Sequence, residues 1–288
     1  MSTLRVVSYN IHKGRSATGG RESLEALRLG LYGIQPDLLF LQEVQGRNEV
    51  RSSLDAQHES LGAALGLHVA YGRNAVRNRT DHGNALLSRF PILSYENEDI
   101  SDHRLEQRGL LHAVIDVAGV PVHCMVVHLG LFAGGRARQI AALTQRIQRL
   151  VPSDEPLLIA GDFNDWTNRL APLFVQQLNL YEVFSVAPHA DTGMLAARSY
   201  PLARWRTSLR SSGRPPRPWA HKPVQELGLQ GGARLTPPPR TFPAVFPWLR
   251  LDRIYQRGFA VHKAKVLQGQ PWRALSDHAP LFAELELP

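Results

Sequence analysis

Two short segments concentrate the chemically able residues of this chain, Gly161-Asp162-Phe163-Asn164-Asp165 and Ser276-Asp277-His278-Ala279-Pro280. Each sets carboxylate, amide or imidazole groups beside an apolar stretch with strand character: Pro156-Leu157-Leu158-Ile159-Ala160 before the first, Leu281-Phe282 after the second. Such groups are costly to bury unless they are paired or bound to a cation. Their place at strand ends points to a metal-assisted site at the end of a sheet.

Other strand-like segments finish in the same way, at Ser8-Tyr9-Asn10, Leu41-Gln42-Glu43, Val127-His128 and Leu251-Asp252. Singly, each has an ordinary explanation. Asn10, Asp162 and Asn164 are turn formers, Glu43 is a charge at a helix N-terminus, and His128 is a satisfied core histidine. As a set they match phosphate chemistry, which needs oxygen ligands for a hard cation and groups that move or hold a proton. Arg108, at the start of a further strand, adds a guanidinium whose fork suits a phosphate, although an Arg at a strand edge is often merely solvated. His12 and Lys13 lie just beyond Asn10 with no role assigned.

In their order along the chain these pieces resemble the endonuclease/exonuclease/phosphatase superfamily, which includes deoxyribonuclease I, exonuclease III, neutral sphingomyelinases and inositol polyphosphate 5-phosphatases. The matching segments are Ser8-Tyr9-Asn10-Ile11, Leu41-Gln42-Glu43-Val44, Gly83-Asn84-Ala85-Leu86-Leu87-Ser88-Arg89-Phe90-Pro91, Val127-His128-Leu129, Gly161-Asp162-Phe163-Asn164, Leu251-Asp252-Arg253-Ile254 and Ser276-Asp277-His278-Ala279-Pro280. The resemblance implies one domain over residues 1–288, with an Arg/Pro-rich insertion at about 187–239. The implied fold is α/β, a four-layered sandwich of two mostly antiparallel sheets flanked by helices, deoxyribonuclease I-like.

The resemblance also implies an activity, hydrolysis of phosphate esters with Mg²⁺ or Mn²⁺, and a role for each residue. Glu43 is the metal carboxylate, with Asn10 and Asp277 beside it. Proton removal from water falls to Asp162 or to His278, and His278 is alternatively a cation that stabilises the transition state. Asn164 donates a hydrogen bond to the phosphate or to the attacking water, Asn10 also contacts the phosphate, and Asp252 holds one imidazole nitrogen of His278. His128 marks the histidine-containing branch rather than the abasic-site repair branch; it is either general acid to the leaving oxygen or a phosphate donor.

The elements that must carry these residues follow from periodicity. Strands are expected over Leu4 to Ile11, Asp37 to Val44, His68 to Gly72, His82 to Ser88, Leu157 to Asp162, Leu251 to Tyr255, Val261 to Leu267 and Ala279 to Leu287. Leu110 to Val117 and Val120 to Leu129 form a hairpin across Gly119. Helices are expected over Glu22 to Ile34, around Val50 to Leu65, over Gly134 to Val151 and near Leu170 to Leu178. The third has Ile140, Leu143, Ile147 and Leu150 on one face and Arg138, Gln145 and Arg149 on the other. Regular pattern stops at about Ala187 and resumes after Pro239.

Charge is unevenly placed. The formal net charge is +8, yet between Ala190 and Arg240 there are nine Lys or Arg against two acidic residues, leaving the rest almost neutral. A basic segment on a neutral body points to a polyanionic partner, nucleic acid or an anionic membrane surface; a solubilising loop is the plain alternative. Cys124, the single cysteine, excludes an internal disulfide and argues against thiolate-ligated zinc, and its apolar run predicts burial. No run approaches the roughly 18 apolar residues of a membrane span, and no charged-then-apolar leader opens the chain. The expected location is cytoplasmic, with peripheral membrane association left open.

Three functions fit these residues. The first is a metal-dependent phosphodiesterase, above all a nuclease acting on DNA, with Arg204-Trp205-Arg206 and Arg217-Pro218-Trp219 stacking on bases. The second keeps the chemistry but takes a phospholipid or inositol phosphate, with Trp205, Trp219, Phe242, Phe246 and Trp248 at a lipid interface. The third is a non-catalytic anion-binding scaffold.

Overall fold

Strands covered on both faces read as near-continuous apolar runs, and the runs of this chain pair into two sheets. The computed structural model describes residues 3–48, 56–77, 80–103, 106–166, 170–193 and 238–287. The first sheet contains β1 (Thr3–Asn10), β2 (Leu38–Asn48), β3 (His68–Arg77), β4 (Thr80–Ser88), β10 (Ala190–Asp191), β12 (Ala260–Val266) and β13 (Leu281–Glu286). Its order is β10-β12-β13-β1-β2-β4-β3. The second contains β5 (Ile92–Asp99), β6 (Gly109–Val117), β7 (Val120–His128), β8 (Leu157–Asp162), β9 (Tyr181–Glu182) and β11 (Asp252–Arg257), in the order β5-β6-β7-β8-β11-β9. Most pairings are antiparallel; β1 with β2, β7 with β8 and β10 with β12 run parallel.

Side chains alternate across a strand, so each strand feeds two cores. Leu4 and Val6 of β1, Leu38 and Phe40 of β2, Cys124 and Val126 of β7, and Leu158 and Ala160 of β8 meet between the sheets. Val7, Tyr9, Leu39 and Leu41 face outward, against α1 (Leu24–Ile34), α2 (Gln57–Leu65) and α5 (Trp272–Leu275). Met125, Val127, Leu157 and Ile159 face outward from the second sheet, against α3 (Ala133–Leu150) and α4 (Ala171–Leu178). The result is the four-layered α/β sandwich of the deoxyribonuclease I-like architecture. Each fully buried Leu, Ile, Val or Phe contributes about 1.5–3 kcal/mol, so the inter-sheet core sets how the strand tips meet.

Some expectations are corrected. The edge strand β5 carries no readable period because nearly all of it is exposed or half-exposed. Leu150 ends α3 and is 40% exposed rather than on the apolar face. Regular structure also continues past Ala187, since Ala190 and Asp191 pair with Ala264 and Lys265. The helix expected from Val50 is seen from Gln57, and residues 49–55 lie outside the described residues, as does most of the basic stretch, including the Arg-Trp and Trp219 motifs. Cys124 is buried. No helix among the described residues is long and apolar enough to cross a membrane.

Candidate active site

Inward parity carries the polar residues to one place. Asn10 continues the inward series of Leu4 and Val6, His128 that of Cys124 and Val126, Asp162 that of Leu158 and Ala160. Register then lines them up: His128 is opposite Asp162 across β7 and β8, and Asp252 opposite Asp162 across β8 and β11. Gly161 permits this approach. Its φ is +151, and an added Cβ would lie 1.9 Å from the carbonyl oxygen of Val127.

Glu43 needs a different device, because regular alternation would turn it outward with Leu39 and Leu41. The register of β2 on β4 shifts between Leu41 and Val44, and Glu43 takes φ 54. That bulge re-aims the carboxylate toward Asn10, whose Nδ2 lies 3.4 Å from both Glu43 Oε1 and Asp162 Oδ2. His12, Lys13 and Asn164 also have positive φ, at 47, 59 and 49. Left-handed non-glycine backbone costs roughly 1–3 kcal/mol per residue and collects at functional sites.

The turn after β1 brings an ammonium and an imidazole to the carboxylates. Lys13 Nζ lies 3.4 Å from Glu43 Oε2, and His12 Nδ1 lies 3.7 Å from Asp277 Oδ1. Gln57 of α2 fastens the turn, donating to Lys13 O (2.8 Å) and accepting from Gln45 N (2.9 Å). Ser276 Oγ donates to Asn10 O (2.7 Å), tying the Ser276-Asp277-His278 loop to the end of β1.

His278 Nδ1 is 2.9 Å from Asp252 Oδ2, while Nε2 is 3.7 Å from Asp162 Oδ2. His128 Nε2 lies 3.6 Å from the same Asp162 oxygen. Asn164 donates its backbone N–H to Asp162 Oδ1 (3.0 Å) and its Nδ2 to Leu129 O (2.9 Å). Behind them the buried Arg253 donates to Asp252 O (2.8 Å) and Asp165 O (3.2 Å), joining the two acidic loops. One atom from each of Asp162, Asp252 and His278 lies within 4.8 Å of the others, a group able to coordinate a divalent cation when the His278 ring is neutral.

Burial alone would lower His278, but Asp252, Asp162 and Asp277 raise it to about 10, so it is an imidazolium at neutral pH. His128 goes the other way: burial, then the Arg108 guanidinium, push it down to about 3. Burial would raise Glu43, and positive charge on His128 and Lys13 with the Asn10 amide brings it down to about 2. With His128 neutral, Lys13, the Asn10 amide and the His278 imidazolium are the contributions that persist. Asp162 is raised to about 6 by burial and Asp252, against the pull of His278.

These groups line an open cleft of about 1420 Å³. Glu43, His128, Asp162, Asn164 and His278 line it, with Arg108, whose Nη2 lies 3.2 Å from Glu106 Oε1. Asn10, Asp252 and Asp277 stand behind this lining, in contact with it through the bonds above. A model of the Endonuclease/Exonuclease/phosphatase family matches residues 7–278. The chain belongs to that family.

The relatives agree. An uncharacterized protein of Escherichia coli strain K12, YbhP, is 36% identical over 99% of this chain and 97% of its own length. The endonuclease/exonuclease/phosphatase structure from Beutenbergia cavernae superposes with a TM-score of 0.70 at 20% identity, over 100% of this chain and 72% of that one. D. rerio TDP2, in complex with single-strand DNA product, superposes at 0.63 with 17% identity, over 99% and 100% of the two chains. Fold and site together are those of a general phosphoesterase, with the divalent-metal-binding centre typical of the family's hydrolases.

Sequence reasoning left Lys13 and His12 without roles and did not single out Ser276, Gln57, Arg253 or Glu106. Proximity to Asn10 was a signal for the first two and the Ser276-Asp277-His278 run for the third. Gln57, Arg253 and Glu106 act through contacts no local pattern reveals.

Proposed function

We propose that this protein is a divalent-metal-dependent phosphodiesterase acting on nucleic acid, DNA foremost. The observation that carries the reading is the convergence of Asp162, the His278–Asp252 pair and His128 in an open cleft whose lining includes Lys13, Arg15 and Arg108 beside Glu22, Glu43 and Glu106. Lys and Arg side chains suit contacts to a phosphodiester backbone, and the TDP2 structure with single-strand DNA product supports such a substrate on this fold.

The donor set fits a hard cation, Mg²⁺ or Mn²⁺. Glu43, held ionised, would be its carboxylate ligand, with Asn10 and Asp277 completing the oxygen donors; the Lys13 and His12 side chains already gather on those two carboxylates. Such an ion polarises a phosphoryl oxygen and offsets charge on the leaving group. The protein's own groups do the rest. Asp252 fixes the His278 ring, and the imidazolium faces the phosphate as a charge stabiliser. Asp162, raised toward neutrality between two imidazoles, takes the proton of the attacking water. His128, neutral in the free site, is suited to donate an N–H to the phosphate; Asn164 orients the Asp162 carboxylate through its backbone.

One observation favours a second reading, a phospholipid substrate: Val245, Phe246 and Trp248 are exposed between the cleft-lining Phe242 and Leu249 or close by. A parallel assay with plasmid DNA, oligonucleotides, anionic phospholipid vesicles and inositol phosphates, with Mg²⁺ and with Mn²⁺, tests both. DNA cleavage that falls steeply with salt is the expected result. Hydrolysis of lipid alone would replace the first reading with the second.

A further inference from the structure

The cleft has two unlike banks. One is charged: Lys13 and Arg15, from the turn that follows β1 of the first sheet, line it together with Glu22 and Glu43. The loops of the second sheet make the other apolar: Leu131, Phe132 and Trp166 line it and are 51%, 67% and 46% exposed. Apolar side chains exposed together in a cleft mark a surface for an apolar or aromatic ligand.

This shelf is held rigid from behind. Arg136 is buried; its Nη1 donates to Gly130 O (3.0 Å) and Leu131 O (2.9 Å), and its guanidinium carbon lies 5.8 Å from the Trp166 ring centre. Gly130 N donates to Gln139 Oε1 (2.7 Å) and Leu131 N to Glu106 Oε1 (3.0 Å). Phe132 caps α3, its ring 6.3 Å from that of His103. The buried Asp165, just before Trp166, has its carbonyl held by Arg253. An anchored backbone leaves less of these loops to be ordered when a ligand stacks on the rings.

Position along the chain gives the shelf its meaning. Phe132 comes four residues after His128 and Trp166 four after Asp162, so both rings ride on the loops that carry the phosphate-facing groups. We infer that Trp166 and Phe132 determine specificity by stacking on unpaired nucleobases beside the cleaved phosphate, while Lys13 and Arg15 track the backbone. The substrate is then a single strand, because the bases of an intact duplex already stack on one another and offer no free face. This inference rests on the nuclease reading above.

The test compares one oligonucleotide sequence as a single strand, as a duplex, and as a chain of abasic tetrahydrofuran units with the same number of phosphates. Wild-type protein with Mn²⁺ should cleave the single strand about tenfold or more faster, in kcat/KM, than the duplex. Trp166→Ala and Phe132→Ala should each lower the ratio of single-strand to abasic-chain cleavage about tenfold, and Trp166→Phe should restore most of it. In EDTA, the single strand should quench the fluorescence that wild type has and Trp166→Phe lacks. Equal cleavage of single strand and duplex, or a ratio unmoved by both alanine variants, overturns the inference and leaves the nuclease reading standing. Absence of cleavage of all three, with hydrolysis of lipid or inositol phosphate, removes both.

Discussion

His123 and His128 lie on the same strand five residues apart, and so on opposite faces of the second sheet. His123 points to the helix layer, where its Nδ1 is 2.9 Å from His112 Nε2 and its Nε2 2.7 Å from Glu155 Oε2. Arg146 of α3 completes the chain: Nε to His112 Nδ1 (3.3 Å), Nη1 to Glu98 and Nη2 to Glu96 (2.6 Å each). A guanidinium can only donate, so every hydrogen bond is satisfied with both imidazoles neutral. His128 and its companion His278 instead aim at Asp162 from 3.6 and 3.7 Å, beyond hydrogen-bond length, on the floor of an open cleft. The same residue types are structural where their bonds are closed and functional where they converge on a gap that a substrate can fill.

Variants can test that contrast, beginning at the cleft. Asp162→Asn and His278→Gln are each expected to lower kcat/KM at least about a thousandfold, since each removes a proton-transfer or charge-stabilising group. Melting temperatures should stay within a few degrees of wild type. A steady-state assay beside a thermal melt measures both, and retained turnover with a lowered melting point would make the cleft pair structural after all.

On the helix side the pattern should invert. Arg146→Met strips His112 Nδ1 of its donor, and an unsatisfied buried polar atom costs about 1–3 kcal/mol. Denaturant unfolding should register that loss, while kcat changes less than about twofold. A large fall in kcat with stability intact would mean that this network reaches the cleft.

The smallest effect concerns acid. Burial, then His123 and Arg146, lower His112 from 6.5 to about 4. The unfolded chain takes up this proton as pH falls past about 6.5, and the folded protein does so only near 4, so this stability term is complete above 6.5 and declines through that window. It amounts to order 2 kcal/mol. His112→Gln should flatten the stability profile between pH 6.5 and 4; an unchanged slope would show that another group carries it.

Much of the cleft was readable before any coordinates. Asn10, His128, Asp162, Asn164, Asp252, Asp277 and His278 each lie at an end of a strand or in the loop next to one, Glu43 follows the apolar run of β2, and each is announced by the break between an apolar run and a polar cluster. The fold brings these residues together, and their individual roles remain the proposal made above. The supporting residues were less legible. Arg253 sits within a strand and Gln57 within a helix, and their partners are distant in sequence. Arg136 and Arg146 of α3 drew no reading from the sequence, yet Arg136 is buried against carbonyls and Arg146 against carboxylates and a histidine. Helical period predicts which face a residue occupies, not which partners wait there.

The order of residues was enough to dictate the strands, their inward and outward faces and the polar groups at their tips, because alternation and apolar runs are local properties of the chain. Tertiary structure decided the rest. The bulge that turns Glu43 inward, the pairing of His278 with Asp252 and the opposite charge states of His278 and His128 depend on register between distant strands. They depend equally on the burial those strands create, and neither quantity exists until the two sheets have closed on their common core.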